Sequence, residues 1–370
     1  MPGLRGRVLV LGPLPPPVHG AAVVTKGMLD WLRENGGSVS VVDASVSSHG
    51  IGSIASRFRV ATYLLARLWF HLVCCVRLVR RPEALYIGGA GGSGLYFQLI
   101  PVLVARLLRV PVVFHHHSSA YLAEHSRPMA WLCRLTAASS THIALSASMA
   151  EQLRQRYLRR SKRPRILPLS NAIFVADAGP AHIRDGSSPV RVGHISNLSF
   201  EKGLQEVVDT ATELRATGHD FELHIAGAAQ DERTQAALDA LLEPLRSDPR
   251  ITVHGPLDGG ALAAFYDTLD LLLFPSSYRH EAAPLVVLEA ASRAVPAVAY
   301  PIGSLSEILF AGELLAAPGA FAEHVTHLVG RWKEVGAELS RATLEGYQRS
   351  RAAATEQREQ LWVGYLGRGS

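Results

Sequence analysis

Short runs of aliphatic and β-branched residues alternate along this chain with longer stretches whose apolar positions recur at helical spacing. In the first half, Arg7–Gly12, Val39–Ala44, Ala84–Ile87, Val112–His115, Thr141–Ser146 and Arg165–Leu169 predict strands. Between them Ala21–Glu34, Phe58–Arg80, Leu95–Arg109 and Ala147–Arg160 predict helices. Strands separated by helices of this length imply βαβ units and a parallel sheet.

Periodicity fades over residues 176–189, where Gly, Pro and Ser concentrate, and this stretch reads as a linker. The alternation then restarts. Val190–Ser196 predicts a strand, and Leu204, Val207, Val208, Ala211 and Leu214 share one helical face ended by Gly218. Phe221–Ala226, Ile251–His254, Leu271–Phe274 and Ala297–Tyr300 predict further strands. The fold class is therefore α/β, with two Rossmann-like parallel-sheet domains over residues 1–175 and 190–345. Residues 346–370 extend a strandless helical tail that could pack back on the N-terminal domain. A length of 370 residues suits two cores better than one.

Composition narrows the class. An apolar content of 48% with 19% charged residues describes a packed globular chain, not a disordered one. Cys74, Cys75 and Cys133 have neither disulfide-framework nor metal-site spacing and read as free thiols in a reducing compartment. The apolar run Val8–Leu11 is too short for a secretory signal core, and Val60–Val79 is interrupted by Arg67, His71 and Arg77, against a membrane span. A cytoplasmic location is expected, with peripheral association at the inner membrane face as an option.

Charge is unevenly divided. Residues 1–180 hold 21 Lys and Arg against 7 Asp and Glu, whereas the remainder holds 16 against 25. A basic first half is suited to an anionic surface or a phosphorylated acceptor, although arginines that merely solvate helix faces would give the same count. The apolar, arginine-spaced helices Phe58–Arg80 and Leu95–Arg109 carry the same two readings. No nucleic-acid partner is expected.

In open parallel sheets ligands bind at the carboxyl ends of strands, so the strand-end loops should hold the chemistry. The densest signal is Glu281-Ala-Ala-Pro-Leu-Val-Val-Leu-Glu289, just beyond Leu271–Phe274. Pro284 suits the first turn of a helix, where its missing N–H is unpaired anyway. The free N–H groups of Leu285 and Val286, with the positive end of the helix dipole, would form an anion site. Glu281 before the helix and Glu289 within it could flank one ligand that carries a diphosphate and hydroxyls.

This arrangement resembles the retaining glycosyltransferases of the GT-B fold, family 4, whose signature is two glutamates separated by seven residues. The resemblance implies that Glu281 contacts donor-sugar hydroxyls, that Glu289 holds the nucleotide ribose, and that the backbone from Ala283 to Leu285 receives the diphosphate. Lys202, in the loop Ser196–Gly203, is placed to reach a phosphate, or else is a solvated cap residue. Where the family has an arginine this chain has Asn197, with His194 as a second match and Arg279 as a substitute cation. Gly255, Gly303 and Glu307 occupy strand-end loops that the family uses for base and sugar; a plain turn would also account for Gly255.

In the first domain the loop from Gly12 to Gly20 is proline-rich, and Gly20 leaves room for a backbone to approach phosphate at a helix start. His19 and Gly20 match a variant of the family's glycine loop associated with surface-polysaccharide enzymes. Of His115, His116 and His117, successive residues face opposite sides, so no metal site is expected, and His117 best matches the histidine beside the transferred sugar. Gly89-Ala-Gly-Gly-Ser-Gly94 has the spacing of a dinucleotide loop, but the next strand ends in histidines where a ribose-binding acid belongs, so it reads as a loop lining the acceptor cleft.

With no D-x-D in the chain, no metal-bound diphosphate is expected, and no cofactor beyond the nucleotide diphosphate sugar. Lys202 and helix amides would stabilise the leaving group. The implied activity is sugar transfer with retention to a saccharide or lipid-linked acceptor, in bacterial surface polysaccharide or glycolipid assembly. A GT-B epimerase and a noncatalytic nucleotide-sugar-binding subunit are the alternatives.

Overall fold

The computed structural model describes residues 6–45, 57–136, 140–159, 165–229 and 232–366; Arg160, at the end of one predicted helix, and residues 367–370 of the tail lie outside them. The chain divides into two compact units, Met1–Phe174 with Ala352–Ser370 and Val175–Arg351.

The first unit runs β1 (Arg7–Gly12), α1 (Gly20–Glu34), β2 (Ser38–Asp43), α2 (Arg57–Leu78), β3 (Ala84–Gly88), α3 (Gly94–Leu108), β4 (Val112–His115), α4 (Ala120–Ala123), α5 (Arg127–Thr136), β5 (Thr141–Ala144), α6 (Ala147–Leu153) and β6 (Arg165–Pro168). Its six strands are all parallel, in the order β2-β1-β3-β4-β5-β6. β1, β3, β4 and β5 are buried on both faces almost throughout, which is why they read as continuous apolar runs and not as alternating ones. The long helix predicted from Ala147 is α-helical only to Leu153 and closes in a π-turn over Arg154–Leu158.

The second unit runs β7 (Val190–Ile195), α7 (Leu204–Ala216), β8 (Phe221–Ala226), α8 (Glu232–Leu242), β9 (Ile251–Val253), α9 (Gly259–Thr268), β10 (Leu271–Phe274), α10 (Leu285–Ser292), β11 (Ala297–Ala299), α11 (Leu305–Ile308) and α12 (Phe321–Gly330). Five parallel strands lie in the order β11-β10-β7-β8-β9. The expected break at 345/346 falls inside one continuous helix, α13 (Trp332–Leu366), and the units divide at 351/352.

From Ala352 onward α13 packs into the core of the first unit. Trp362 is fully buried there, against a cluster that includes Val10, Met28, Tyr86 and Val113, and its indole N–H points at Met28 Sδ over 3.3 Å. Burial of so large a ring is the main reason this tail belongs to the first sheet.

Both sheets have a point at which the chain reverses its direction of winding. In the first, β1 leads outward to β2 while the chain resumes on the other side at β3; in the second, β7 leads outward to β8 and β9 while the chain resumes at β10. Crevices at such points, beyond the carboxyl ends of the strands, are where open α/β sheets bind ligands.

Candidate active site

The crevice of the second sheet lies between the loops that follow β7 and β10. The β7 loop turns through a 3-10 segment, Phe200–Lys202, capped by the Ser199 hydroxyl, which accepts from the Lys202 N–H. Gly203 then takes φ 83°, and a Cβ there would lie 2.3 Å from the Pro275 carbonyl oxygen. No side chain fits, so the two loops touch backbone to backbone. The Ser277 N–H donates to the Glu201 carbonyl over 2.9 Å and fastens the same contact.

This closure brings Lys202 to Glu281. The ammonium donates to Glu281 Oε2 over 2.5 Å, and the Ser276 hydroxyl donates to the same oxygen over 3.1 Å. The Tyr278 ring faces the ammonium, its centroid 4.7 Å away, which adds a cation–π attraction. Glu281 is almost buried and Lys202 is partly open to solvent. Behind Glu281, Gly303 (φ 56°) lies so close to the Glu281 and Ala282 carbonyls that a Cβ would approach both to 2.6 Å. The Ser304 N–H donates to the Ala282 carbonyl over 2.7 Å.

Pro284 differs from expectation. It is the N-cap of α10, with extended backbone (φ −65°, ψ 127°), and the helix begins at Leu285. The Pro284 ring supplies no capping hydrogen bond. The amides of Leu285 and Val286 lie in the first turn, where they have no helical acceptors, at the positive end of the helix dipole. Ala283 is buried in the lead-in.

Glu289 lies one turn further on and is largely enclosed. Tyr266 donates its hydroxyl to Glu289 Oε2 over 2.8 Å. Burial raises the Glu289 pKa above the usual carboxylate range, against the opposing effects of that hydrogen bond and of Arg293. Glu281 and Glu289 are thus held by separate partners, one cationic and one phenolic.

Among the residues considered for the missing cation, His194 is excluded by its surroundings. It is buried, its Nδ1 meets the Leu273 carbonyl at 3.0 Å and its Nε2 meets Ser196 Oγ at 2.9 Å. Desolvation holds its pKa down at about 4, so it is neutral near pH 7. Asn197 and Arg279 are exposed. Gly255 (φ 37°) has open space where a Cβ would stand, and its carbonyl accepts from the Gly227 N–H over 2.9 Å. Gly227 was not singled out from sequence, yet its φ of 124° and a Cβ position 1.9 Å from the Ser196 carbonyl make it obligatory.

In the first unit, His19 caps α1: its Nδ1 accepts from the Ala22 N–H over 3.3 Å. Gly20 opens the helix and has no atom near its Cβ position. His117 lies beside His19, its ring 4.4 Å from that of His115, and its Nε2 is sealed from solvent without a hydrogen-bond partner. Desolvation, with His19 adding to it, lowers the His117 pKa to about 3. The structure therefore brings His117, His19 and Gly20 together. His116 turns the other way, to Tyr121 and His142. No cluster of metal-ligating side chains occurs among the described residues.

Gly89 cannot bear a side chain either, since a Cβ would lie 2.6 Å from both the His115 carbonyl and the Phe114 ring. Close packing against β4 accounts for the first glycine of the dinucleotide-like spacing.

Two successive α/β units, each with a parallel sheet, define the GT-B class of fold, and solved structures of that class match over nearly the whole chain. Anabaena HepE in complex with UDP-glucose matches with a TM-score of 0.64 at 15% identity, covering 98% of this chain and 99% of its own. Sucrose-phosphate synthase from Thermosynechococcus elongatus matches with a TM-score of 0.68 at 13% identity, covering 97% and 100%. Residues 189–331, most of the second unit, match the family model of glycosyl transferases group 1. The α-D-kanosaminyltransferase of Streptomyces kanamyceticus is 24% identical over 240 residues, 60% of this chain and 59% of that protein. The chain thus spans less than two thirds of that relative's length.

Proposed function

We propose that this chain transfers a glycosyl group from a nucleoside diphosphate sugar to an acceptor hydroxyl, with retention of configuration and without a metal ion. The observation that carries the reading is the placement of Lys202, Glu281 and the start of α10 at the reversal point between β7 and β10. A diphosphate there meets one ammonium and two free amides, and a sugar hydroxyl meets the Glu281 carboxylate. Glu289, one turn along, receives the ribose hydroxyls.

As the bond between the anomeric carbon and the phosphate oxygen breaks, negative charge grows on the diphosphate. Lys202 and the α10 amides stabilise that charge, and fixed donors of this kind are among the largest contributors to catalysis. The acceptor oxygen bonds to the anomeric carbon from the same face, and its proton passes to the departing phosphate. In the first unit, His117 and Gly20 are the residues we assign to the acceptor. The match of the second unit to the group 1 family model and the UDP-glucose held by HepE support a nucleotide-sugar donor. The proposed setting is bacterial surface polysaccharide or glycolipid assembly at the cytoplasmic face, with a saccharide or lipid-linked acceptor.

Thermal unfolding with UDP, GDP, ADP and, separately, NAD tests the site. A ligand at ~100 times its dissociation constant stabilises by ~2.7 kcal/mol. A shift with one nucleoside diphosphate supports the reading and names the base. A shift with NAD alone overturns it. Inversion in the first-formed product, read by NMR, would remove the stereochemical claim.

A further inference from the structure

α2, α3 and α5 pack side by side, α3 in the middle, as one layer of the first unit. α2 is apolar on two opposite faces. His71, Cys74 and Leu78 face inward and are buried. Leu65, Trp69, Leu72 and Val76, at alternating spacings of four and three, form a stripe on the other side, continued by Val79 just past the helix. That outer stripe is not covered: Trp69 is 63% and Val76 72% exposed. A helix apolar all round is normally enclosed, so an uncovered second face calls for a partner.

The neighbours extend the same character. α3 exposes Tyr96, Leu103 and Leu107, the last at 74%, and α5 exposes Arg127, Trp131 and Arg134 on one face. None of the three helices contains an Asp or Glu. Every charged side chain along them is an arginine, and Arg106 reaches across to the Leu135 carbonyl at the end of α5. At the end of the α2 stripe, Arg7, Arg77 and Arg80 line a cavity of about 200 Å³.

We infer that the outer face of α2, α3 and α5 docks on an anionic lipid bilayer, with Trp69, Val76, Leu107 and Trp131 entering the interface and the arginines meeting headgroup phosphates. Charge decides the occupant. A second copy of this chain would set arginine against arginine, whereas an anionic leaflet supplies the opposite sign. Exposed tryptophans among aliphatic and basic residues suit the headgroup boundary. No described helix is long and apolar enough to cross a membrane, which leaves in-plane docking as the mode. The inference is independent of the donor site.

The full chain is tested by co-sedimentation with vesicles of phosphatidylcholine alone and of phosphatidylcholine with phosphatidylglycerol, at low and high salt. Binding to the anionic vesicles that salt weakens is the expected result. Replacing Arg127 and Arg134 by Gln should weaken it about fivefold for each arginine removed. Trp69→Glu with Val76→Glu should abolish it, with the thermal midpoint of each variant serving as the control for folding. Failure of the wild type to bind anionic vesicles at low salt overturns the inference. So does binding that the arginine pair leaves unchanged, or a wild-type dimer that Trp69→Glu converts to monomer without any vesicle binding.

Discussion

Lys202 and Glu281 are 79 residues apart in sequence and 2.5 Å apart in space, and they meet because Gly203 lets one strand-end loop rest on the backbone of the other. In the absence of ligand each neutralises the other. Under the proposed function, a diphosphate entering the crevice would compete with the carboxylate for the ammonium, and a sugar hydroxyl would offer the carboxylate a replacement donor. Donor binding under that proposal would exchange this internal ion pair for two contacts to ligand. Lys202→Met should erase most of the thermal shift given by the preferred nucleoside diphosphate. Glu281→Gln should keep that shift while lowering turnover by about 10²- to 10³-fold, the usual loss for one group acting on the transition state. Equal turnover of Glu281→Gln and wild type in a labelled-donor assay would take Glu281 out of the reaction.

Gly203 and Gly255 both have positive φ, yet their substitution should differ. At Gly255 an added methyl meets nothing, so Gly255→Ala should cost only the left-handed backbone penalty of about 1–2 kcal/mol. At Gly203 the methyl collides with the Pro275 carbonyl, so the loops must part. Gly203→Ala should cost clearly more in urea unfolding and should also weaken nucleotide binding. Equal losses at the two positions would mean the loop contact is not rigid.

The raised pKa of Glu289 makes a pH prediction with a definite sign. The folded carboxyl holds its proton at pH values where the unfolded one, with a pKa of about 4.3, has lost it. Folded protein thus binds more protons across that window, and this residue's contribution to stability falls as pH rises from about 4.3 through the raised folded value. Unfolding free energies of wild type and Glu289→Gln, measured between pH 4 and 7, should diverge in that direction. Parallel curves would place the carboxylate in ordinary solvation.

The buried histidines act in the opposite sense. His142 and His194 are each held at about 4 by desolvation, against about 6.5 in the unfolded chain. The unfolded state takes up their protons first on acidification, so stability present above about pH 6.5 is lost as pH falls toward 4. Each fully buried group can contribute up to about 3 kcal/mol of that loss. A midpoint in urea that did not fall over this interval would show that these rings are not buried neutral.

The strands were readable because their runs are apolar on both faces and bounded by glycine, proline or charge, as in Arg7–Gly12 or Leu271–Phe274. The glutamate pair was readable from spacing combined with the strand before it and Pro284. What the local pattern could not carry is contact between distant loops. Nothing around Tyr266 marks it as the partner of Glu289, and nothing around Gly227 announces the Ser196 carbonyl against it. Pro284 has the φ of either a cap or a first turn, and only its ψ distinguishes them. The apolar positions of α2 gave no hint of which would be covered, because both of its faces are apolar and only packing decides between them.

Trp362 closes the core of the first unit, and Trp362→Ala should cost about 3–5 kcal/mol, the usual range for a buried aromatic. The loss should appear in the unfolding of the first unit and leave the second unit's nucleotide-induced shift in place. Loss of both together would mean that the units unfold as one.

Because the segment from Ala352 onward completes the core under a sheet whose first strand begins at Arg7, the first unit is encoded on both sides of the second. During synthesis the usual order, in which the earlier domain finishes first, is therefore reversed. The middle unit has all its strands as soon as β11 has emerged. The first unit must wait, with its sheet laid down and the place of Trp362 unfilled, for residues made after the second unit. Over that interval the nascent chain exposes the apolar floor of its first sheet, and a chaperone that captures it should do so there.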